Sequence, residues 1–326
     1  MSVKFYKSVL IIWALACSCG LYAQTSDSFK FVALGDMPYK LPDDEVRYER
    51  LVSEINKINP SFSIFIGDTK SGSTPCSDEY NLKVKENFNQ FSSPLIYSIG
   101  DNEWTDCHRP LAGGYDPLER LDSLRSSFFN SNQSFGKKKL LLTRQGDIDP
   151  AYKKFVENAY WVKNQILFVD LHIPGSNNNF ERDEVAIAEY RERNLANLVW
   201  IKQMFALAKS KQYAAIVFAY QADMFYTPSQ ATSAESGYRD TLHAFSHGAQ
   251  ELKKPVLLIH GDSHRLIVDQ PLKTVDQKHI LENVLRLQVM GADQVQAVEI
   301  SVNPRAEQPF SFTPVLLKQN RLYPAL

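Results

Sequence analysis

Phe31-Val32-Ala33-Leu34-Gly35-Asp36, Ser63-Ile64-Phe65-Ile66-Gly67-Asp68 and Leu95-Ile96-Tyr97-Ser98-Ile99-Gly100-Asp101 repeat one arrangement early in the chain. In each, a short apolar run suited to a buried strand meets a glycine that permits a tight turn. A carboxylate stands just beyond it. A further copy, Val256-Leu257-Leu258-Ile259-His260-Gly261-Asp262, runs on into Ser263-His264. In open α/β sheets the carboxyl edge of the strands is where ligands bind. Carboxylates gathered on one edge repel one another unless a cation lies among them, so the pattern reads as a metal site.

Around these motifs the sequence predicts alternating strands and helices. Strand Lys30–Leu34 leads to a helix from about Asp43 to Ile58, with Asp43 as N-cap and Tyr48, Leu51, Ile55 and Ile58 on one face. Strand Ser63–Ile66, a polar helix near Glu79–Phe91, strand Leu95–Ile99 and a helix with Leu118, Leu121 and Leu124 follow. This β-loop-α order points to a largely parallel sheet. Ser131–Lys154 is polar and weakly periodic and reads as an inserted loop. Tyr160–Val162 and Gln165–Leu171 read as a hairpin turning at Lys163-Asn164. A long helix is expected from about Arg182 to Lys209, burying Leu195, Leu198, Ile201, Phe205 and Ala208. Strand Ala214–Ala219, a helix near Tyr238–Leu252 and the strand ending at His260 come next. Short strands at Leu266–Val268, Leu285–Val289, Val295–Ile300 and Phe310–Leu317 complete the chain. No linker rich in Pro, Gly or Ser divides it, so residues 28–326 are expected to form one domain.

The 326 residues carry 36 Lys and Arg against 37 Asp and Glu, interspersed, for a formal charge of -1. That argues against a nucleic-acid partner held by bulk charge and against a polybasic membrane-surface patch. Residues 1–23 read as a secretory signal peptide. Lys4 and Lys7 precede the apolar run Val9–Cys17, and Leu21-Tyr22-Ala23 precedes Gln24. The run is too short to span a bilayer comfortably, and no other segment is long and apolar enough. A lipoprotein anchor at Ala14-Leu15-Ala16-Cys17 ranks second, because Ala14 stands where a lipobox has Leu. The protein is therefore expected to be secreted or periplasmic. Cys76 and Cys107 remain after Cys17 and Cys19 leave with the signal peptide. In an oxidising compartment they are expected to form one disulfide, the alternative being two buried thiols.

The order of motifs resembles the calcineurin-like metallophosphoesterases. Their pattern runs Asp-x-His, Gly-Asp-x-x, Gly-Asn-His-Glu, a lone His and Gly-His-x-His, each after a strand. The matching stretches here are Gly35-Asp36-Met37-Pro38-Tyr39, Gly67-Asp68-Thr69-Lys70, Gly100-Asp101-Asn102-Glu103, Tyr220-Gln221 and Gly261-Asp262-Ser263-His264. The resemblance implies an α/β sandwich of two mixed sheets packed face to face and flanked by helices. It also implies that Asp36 binds the first metal, Asp68 bridges two metals and His264 completes the first. Pro38 stands where the pattern has a ligand His, with Tyr39 beside it as a substitute oxygen. Asp101 replaces the metal-binding Asn, and Asn102 the His that assists the leaving group. Tyr220 or Gln221 takes the place of the lone His, and Asp262 that of the first His in the last motif. Glu103 matches the supporting glutamate.

These exchanges replace imidazole by oxygen. Oxygen ligands suit Mg²⁺, Mn²⁺ or Ca²⁺, while the His264 site admits Mn²⁺, Fe or Zn²⁺, so one or two divalent ions are expected. The expected activity is metal-dependent hydrolysis of a phosphomonoester or phosphodiester, of a small molecule or lipid, with water as the nucleophile. Asn102 has no acidic proton, so His260, His108 or His172 is the candidate acid. Arg109 and Arg265 are candidates for holding phosphoryl oxygens. His172 is read first as structural, and His243 with His247 as a solvated helix face. The competing expectation is a non-catalytic binding module on the same scaffold with a structural metal. Joint presence of Asp36, Asp68 and His264 favours the enzyme.

Overall fold

β1 (Phe29–Leu34) turns Phe31 and Ala33 toward one apolar layer and Val32 and Leu34 toward another, the period of two expected of a strand buried on both faces. The structure, a computed structural model, describes Met1 and residues 27–226 and 233–321. The expected signal peptide and lipobox thus lie, Met1 apart, outside the described residues.

Beside β1 run the parallel strands β2 (Ser63–Ile66) and β3 (Leu95–Ser98). On its other side lie β11 (Ala297–Val302) and then β12 (Phe310–Val315), both antiparallel to their neighbours. The second sheet holds β4 (Thr143–Arg144), β5 (Ala159–Lys163), β6 (Ile166–Asp170), β7 (Ala215–Ala219), β8 (Val256–His260), β9 (Ile267–Asp269) and β10 (Val284–Gln288). Its order is β4-β5-β6-β7-β8-β10-β9, with β6, β7, β8 and β10 parallel. The sheets face each other across a shared core of Phe31, Ile64, Ile96, Phe168, Val217, Ile259 and Leu287. Phe62 stacks on Phe31 and meets Trp161 edge-on, with centroids at 5.1 and 5.5 Å. The outer face of the first sheet is covered by α1 (Asp43–Ile58), α2 (Asp78–Phe88) and α3 (Pro117–Phe128). That of the second is covered by α4 (Glu184–Lys211) and α5 (Arg239–Leu252). This is the expected sandwich of two mixed sheets between helices. Among the described residues no helix is long and apolar enough to cross a membrane.

Several local expectations need correction. Asp43 is not the cap of α1: Pro42 occupies that position, and Asp43, Asp44 and Glu45 fill the first turn, where acids complement the helix dipole. The hairpin between β5 and β6 turns at Asn164 and Gln165, both at positive φ, one residue later than expected. The stretch read as an inserted loop contains β4, an edge strand against β5. Leu195 is 58% exposed; Ala196, Trp200 and Met204 join Ile201, Phe205 and Ala208 in the buried stripe of α4. That helix also buries Glu189, Arg193, Asn194 and Asn197, which blurs its apolar period.

Candidate metal centre

Because β1, β2 and β3 are parallel neighbours, Asp36, Asp68 and Asp101 arrive at one edge. The turns that carry them are tight. Gly67 has a φ of 62°, and a methyl group there would lie 2.7 Å from the Gly100 nitrogen. Asp36, Asp68, Asp262 and His264 themselves sit at positive φ, a costly backbone for residues with a Cβ. The parallel ends of β7 and β8 face the same rim and deliver Gln221 and Asp262.

Neutral donors tie the carboxylates together. The Asp262 N–H donates to both Asp36 oxygens, each at 3.1 Å. Asp68 accepts from the Asn102 N–H (3.2 Å), the Asn102 side-chain amide (2.7 Å) and the Tyr39 hydroxyl (3.0 Å). The Tyr39 oxygen also lies 3.3 Å from Nε2 of His264. Asp101 accepts from Gln221 Nε2 at 3.1 Å and from Ser176 Oγ at 2.8 Å. Asp262 accepts from the Asp223 N–H at 2.9 Å. Glu103 lies behind them and accepts from the N–H groups of Asp68, Thr69 and Gly100 and from the Thr69 hydroxyl. It is the brace between the second and third Gly-Asp turns.

Burial pushes the Asp36 and Asp68 carboxyls well above the usual carboxylate range, and neighbouring Asp262 and Asp101 push further. Asp262 is raised to about 8, by burial and then by Asp101. Burial lowers His264 and raises the Tyr39 phenol. The ion pairs beside this edge go to other acids: Arg109 to Asp106 at 2.7 Å, and Arg286 and His260 to Asp223 at 3.7 and 4.0 Å. Among the described residues none of the four carboxylates has an ion pair, and buried carboxylates of this kind fit a hard divalent ion in their donor chemistry. Among the described residues, no group of three or more His, Cys, Asp or Glu side chains is closed around a single ion position.

Not every expected residue reaches the edge. Tyr220 is fully buried, its ring stacked at 5.7 Å on His260, and its hydroxyl contacts no donor or acceptor. His260 is equally buried, with Nδ1 at 3.1 Å from the Gly261 carbonyl; burial holds it neutral, lowered to about 4. It is packed inside the protein, and the chain turns at positive φ between it and Asp262. Gln221 is at the edge, but its carbonyl oxygen accepts from the Gly175 N–H at 2.5 Å. A backbone donor fixes the amide orientation, so Gln221 presents NH₂, not a ligand oxygen, to Asp101. His172 is structural, its Nδ1 paired with Glu157 at 2.8 Å. His108 and Arg109 are exposed beside the edge and line a cavity of about 470 Å³. Arg265 lines another of about 740 Å³, together with Asp262, Ser263 and His264. Cys76 and Cys107 form the expected disulfide, joining the loops after the second and third turns.

Sequence reading missed Ser176, Asp106 and Asp223. Ser176 touches both Asp101 and Asp106 at 2.8 Å and lines both cavities. Asp223 accepts from Ser263 Oγ at 2.6 Å. Each follows a strand or a motif already singled out, which is the signal that was there to find.

No family model matches the chain, and no curated protein matches it in sequence. Among solved structures it is similar to a dimetal phosphatase from Danio rerio, at 13% identity and a TM-score of 0.53, over 88% of this chain and 99% of that one. It is also similar to GAP50, the anchor in the inner membrane complex of Plasmodium, at 9% identity and a TM-score of 0.51, over 89% of each chain. At such identities the likeness is one of fold. The chain has the fold of the calcineurin-like metallophosphoesterases.

Proposed function

We propose that this protein is a secreted or periplasmic, metal-dependent hydrolase of phosphate esters. The observation that carries the reading is the gathering of Asp36, Asp68, Asp101 and Asp262 at one sheet edge beside His264, with no ion pair among the described residues to any of the four carboxylates. In this reading Asp36, Asp68 and His264 would hold one divalent ion, and Asp68, Asp101 and Asp262 would hold a second. Bound ions would supply Lewis acidity and lower the pKa of an attacking water.

The chain's own groups bind and orient. Asn102 donates its amide protons to Asp68 and, at 3.2 Å, to Tyr39, which fixes the Asp68 carboxylate in place. Having no acidic proton, it positions rather than protonates. Arg109, half exposed at its side chain and anchored on Asp106, can turn its remaining N–H groups to a phosphoryl oxygen at the cavity mouth. The substrate is a small-molecule or lipid phosphate ester, a monoester or a diester.

The test uses p-nitrophenyl phosphate and bis-p-nitrophenyl phosphate with the mature protein loaded with Mn²⁺. Turnover that falls at least about 100-fold in Asp68→Asn, with folding intact by circular dichroism, supports the hydrolase. A second reading, a non-catalytic binding module, draws on the amides that occupy the histidine positions and on the open arrangement of the acids. Ion binding without turnover of either ester would favour it.

A further inference from the structure

We propose that the end of the sandwich opposite the Asp edge docks on an anionic lipid surface through exposed lysines. This surface is separate from the candidate metal centre, and the inference does not depend on the hydrolase reading.

Topology gathers the lysines. Asp36 and Asp262 meet beyond the carboxyl ends of β1 and β8, so the amino ends of the parallel strands of both sheets share the other end of the molecule. In the second sheet, Lys163 ends β5 at the hairpin into β6. Lys209 and Lys211 close α4 ahead of β7, and Lys253 and Lys254 follow α5 ahead of β8. These connections lie side by side. The Ala214 N–H donates to the Gln165 carbonyl at 2.8 Å, and the Ile216 N–H to the Pro255 carbonyl at 3.1 Å. In the first sheet, Lys137-Lys138-Lys139 stands at the start of β3. The Lys137 N–H donates to the Phe91 carbonyl at 2.8 Å, and Phe135 is bridged to Leu95.

All of these lysines but the half-buried Lys163 are exposed. Among the described residues the lysines in ion pairs are Lys30, Lys40, Lys57, Lys83, Lys154 and Lys278, so the docking lysines keep their full charge. Glu282 is beside them, next to Asn283, which donates to the Lys254 carbonyl at 2.9 Å, and it offsets only part of that charge. The helix dipole accounts for Lys209 and Lys211 at the end of α4. It does not account for Lys137, Lys138, Lys139 and Lys163, which stand on no helix. The formal charge of -1 averages this end against the acids of the other, where the first turns of α1, α2 and α4 are acidic. A net charge near zero therefore conceals a basic face.

Apolar side chains favour lipid as the partner. Leu141 is 74% exposed and Val162 39%. Each stands two residues beyond the antiparallel pair Thr143–Tyr160, toward this end. Exposed apolar groups bordered by lysines suit a bilayer interface, where the charges meet lipid phosphates and the apolar groups enter the acyl boundary. Recognition of nucleic acid draws on the planar fork of arginine, and the unpaired cations gathered here are lysines. Docked in this way, the protein turns its Asp edge to the aqueous side.

The experiment is co-sedimentation of the mature protein with vesicles of phosphatidylcholine, alone or with about one-third phosphatidylglycerol. We expect the wild type to bind the anionic vesicles at least about tenfold more tightly, and to release them at high salt. Lys137→Glu/Lys138→Glu/Lys139→Glu and Lys253→Glu/Lys254→Glu should each weaken that binding about tenfold or more, with folding intact by circular dichroism. Lys40→Glu/Lys83→Glu removes as much charge as the second variant but at the Asp end, where Lys40 pairs with Asp293 and Lys83 with Glu45, and should stay within about twofold of wild type. Equal binding of both vesicles by the wild type overturns the proposal, as do folded variants of the basic face that bind like wild type. A Lys40→Glu/Lys83→Glu protein that loses as much as Lys253→Glu/Lys254→Glu overturns it too, because the effect then belongs to whole-molecule charge. Tighter binding of duplex DNA than of the anionic vesicles overturns the choice of partner.

Discussion

The backbone N–H of Asp262 donates to both carboxylate oxygens of Asp36, each at 3.1 Å, and thereby ties the last Gly-Asp turn of one sheet to the first of the other. The contact is close because glycines surround it. Methyl groups at Gly261 and Gly291 would lie 2.3 Å from Asp36 Oδ2 and 2.2 Å from its Cβ. Elsewhere the two sheets pack face to face through apolar side chains, with the buried bond from Ser98 to Asp170 between them. The bond from Asp262 to Asp36 and that from Gln221 to Asp101 bring their polar edges into register, so the site belongs to neither sheet alone.

Glu103 should matter to stability as much as to the site. Its carboxylate accepts from three backbone N–H groups and one hydroxyl in a buried position. In Glu103→Gln one oxygen becomes an NH₂ facing donors, leaving at least one buried N–H without an acceptor. A cost of about 2–3 kcal/mol in urea unfolding is expected. A loss below about 0.5 kcal/mol would show that Glu103 is not the brace described here.

Much of this architecture is legible from the sequence because its signals are local. A strand-ending Gly-Asp pair is written in six or seven consecutive residues, and the parallel arrangement follows from helices between the strands. What was not legible depends on contacts between distant segments. Ser176 counts only because its left-handed loop lies over Asp101, 75 residues away. His260 stands two residues before Asp262 and reads as a candidate acid, but it is fully buried, and the chain turns between them, where Asp262 has a φ of 74°. The stripe of α4 was misplaced around Leu195 because Arg193 and Asn197, polar and fully buried, hold the loop and strand beside them: Arg193 bonds to Asn178, and both bond to the His172 carbonyl.

Asp170 predicts a pH effect away from the site. Burial raises its carboxyl to about 7, although Ser98 donates to it. An unfolded aspartate titrates near 3.9. Between about 4 and about 7 the folded chain therefore holds a proton that the unfolded chain releases. On that account stability falls as pH rises through this window and levels off above it. Asp170→Asn keeps the shape and removes the titration. Its Tm relative to wild type should rise by a few degrees between pH 4.5 and pH 8. A difference in Tm that stays constant over that range would contradict the raised carboxyl.

The disulfide offers the last test, because it closes a loop that carries the centre of the site. Cys76 and Cys107 are 31 residues apart in sequence, with Cα atoms at 5.8 Å, and both are buried against Ala112 and Tyr115. The enclosed segment contains Asp101, Asn102 and Glu103. Closing a loop of that length removes entropy from the unfolded chain worth about 3.5 kcal/mol. Replacing both cysteines by serine should therefore lower the unfolding free energy from urea denaturation by that order, and the midpoint with it, and reduction of the wild type should move the midpoint to nearly the same place. The serine variant should no longer respond to reductant. If wild-type midpoints with and without reductant coincide, the cysteines are not bridged in the folded protein. The second and third Gly-Asp turns would then be held together without a covalent link, by Glu103 and by the bonds from Asn102 to Asp68.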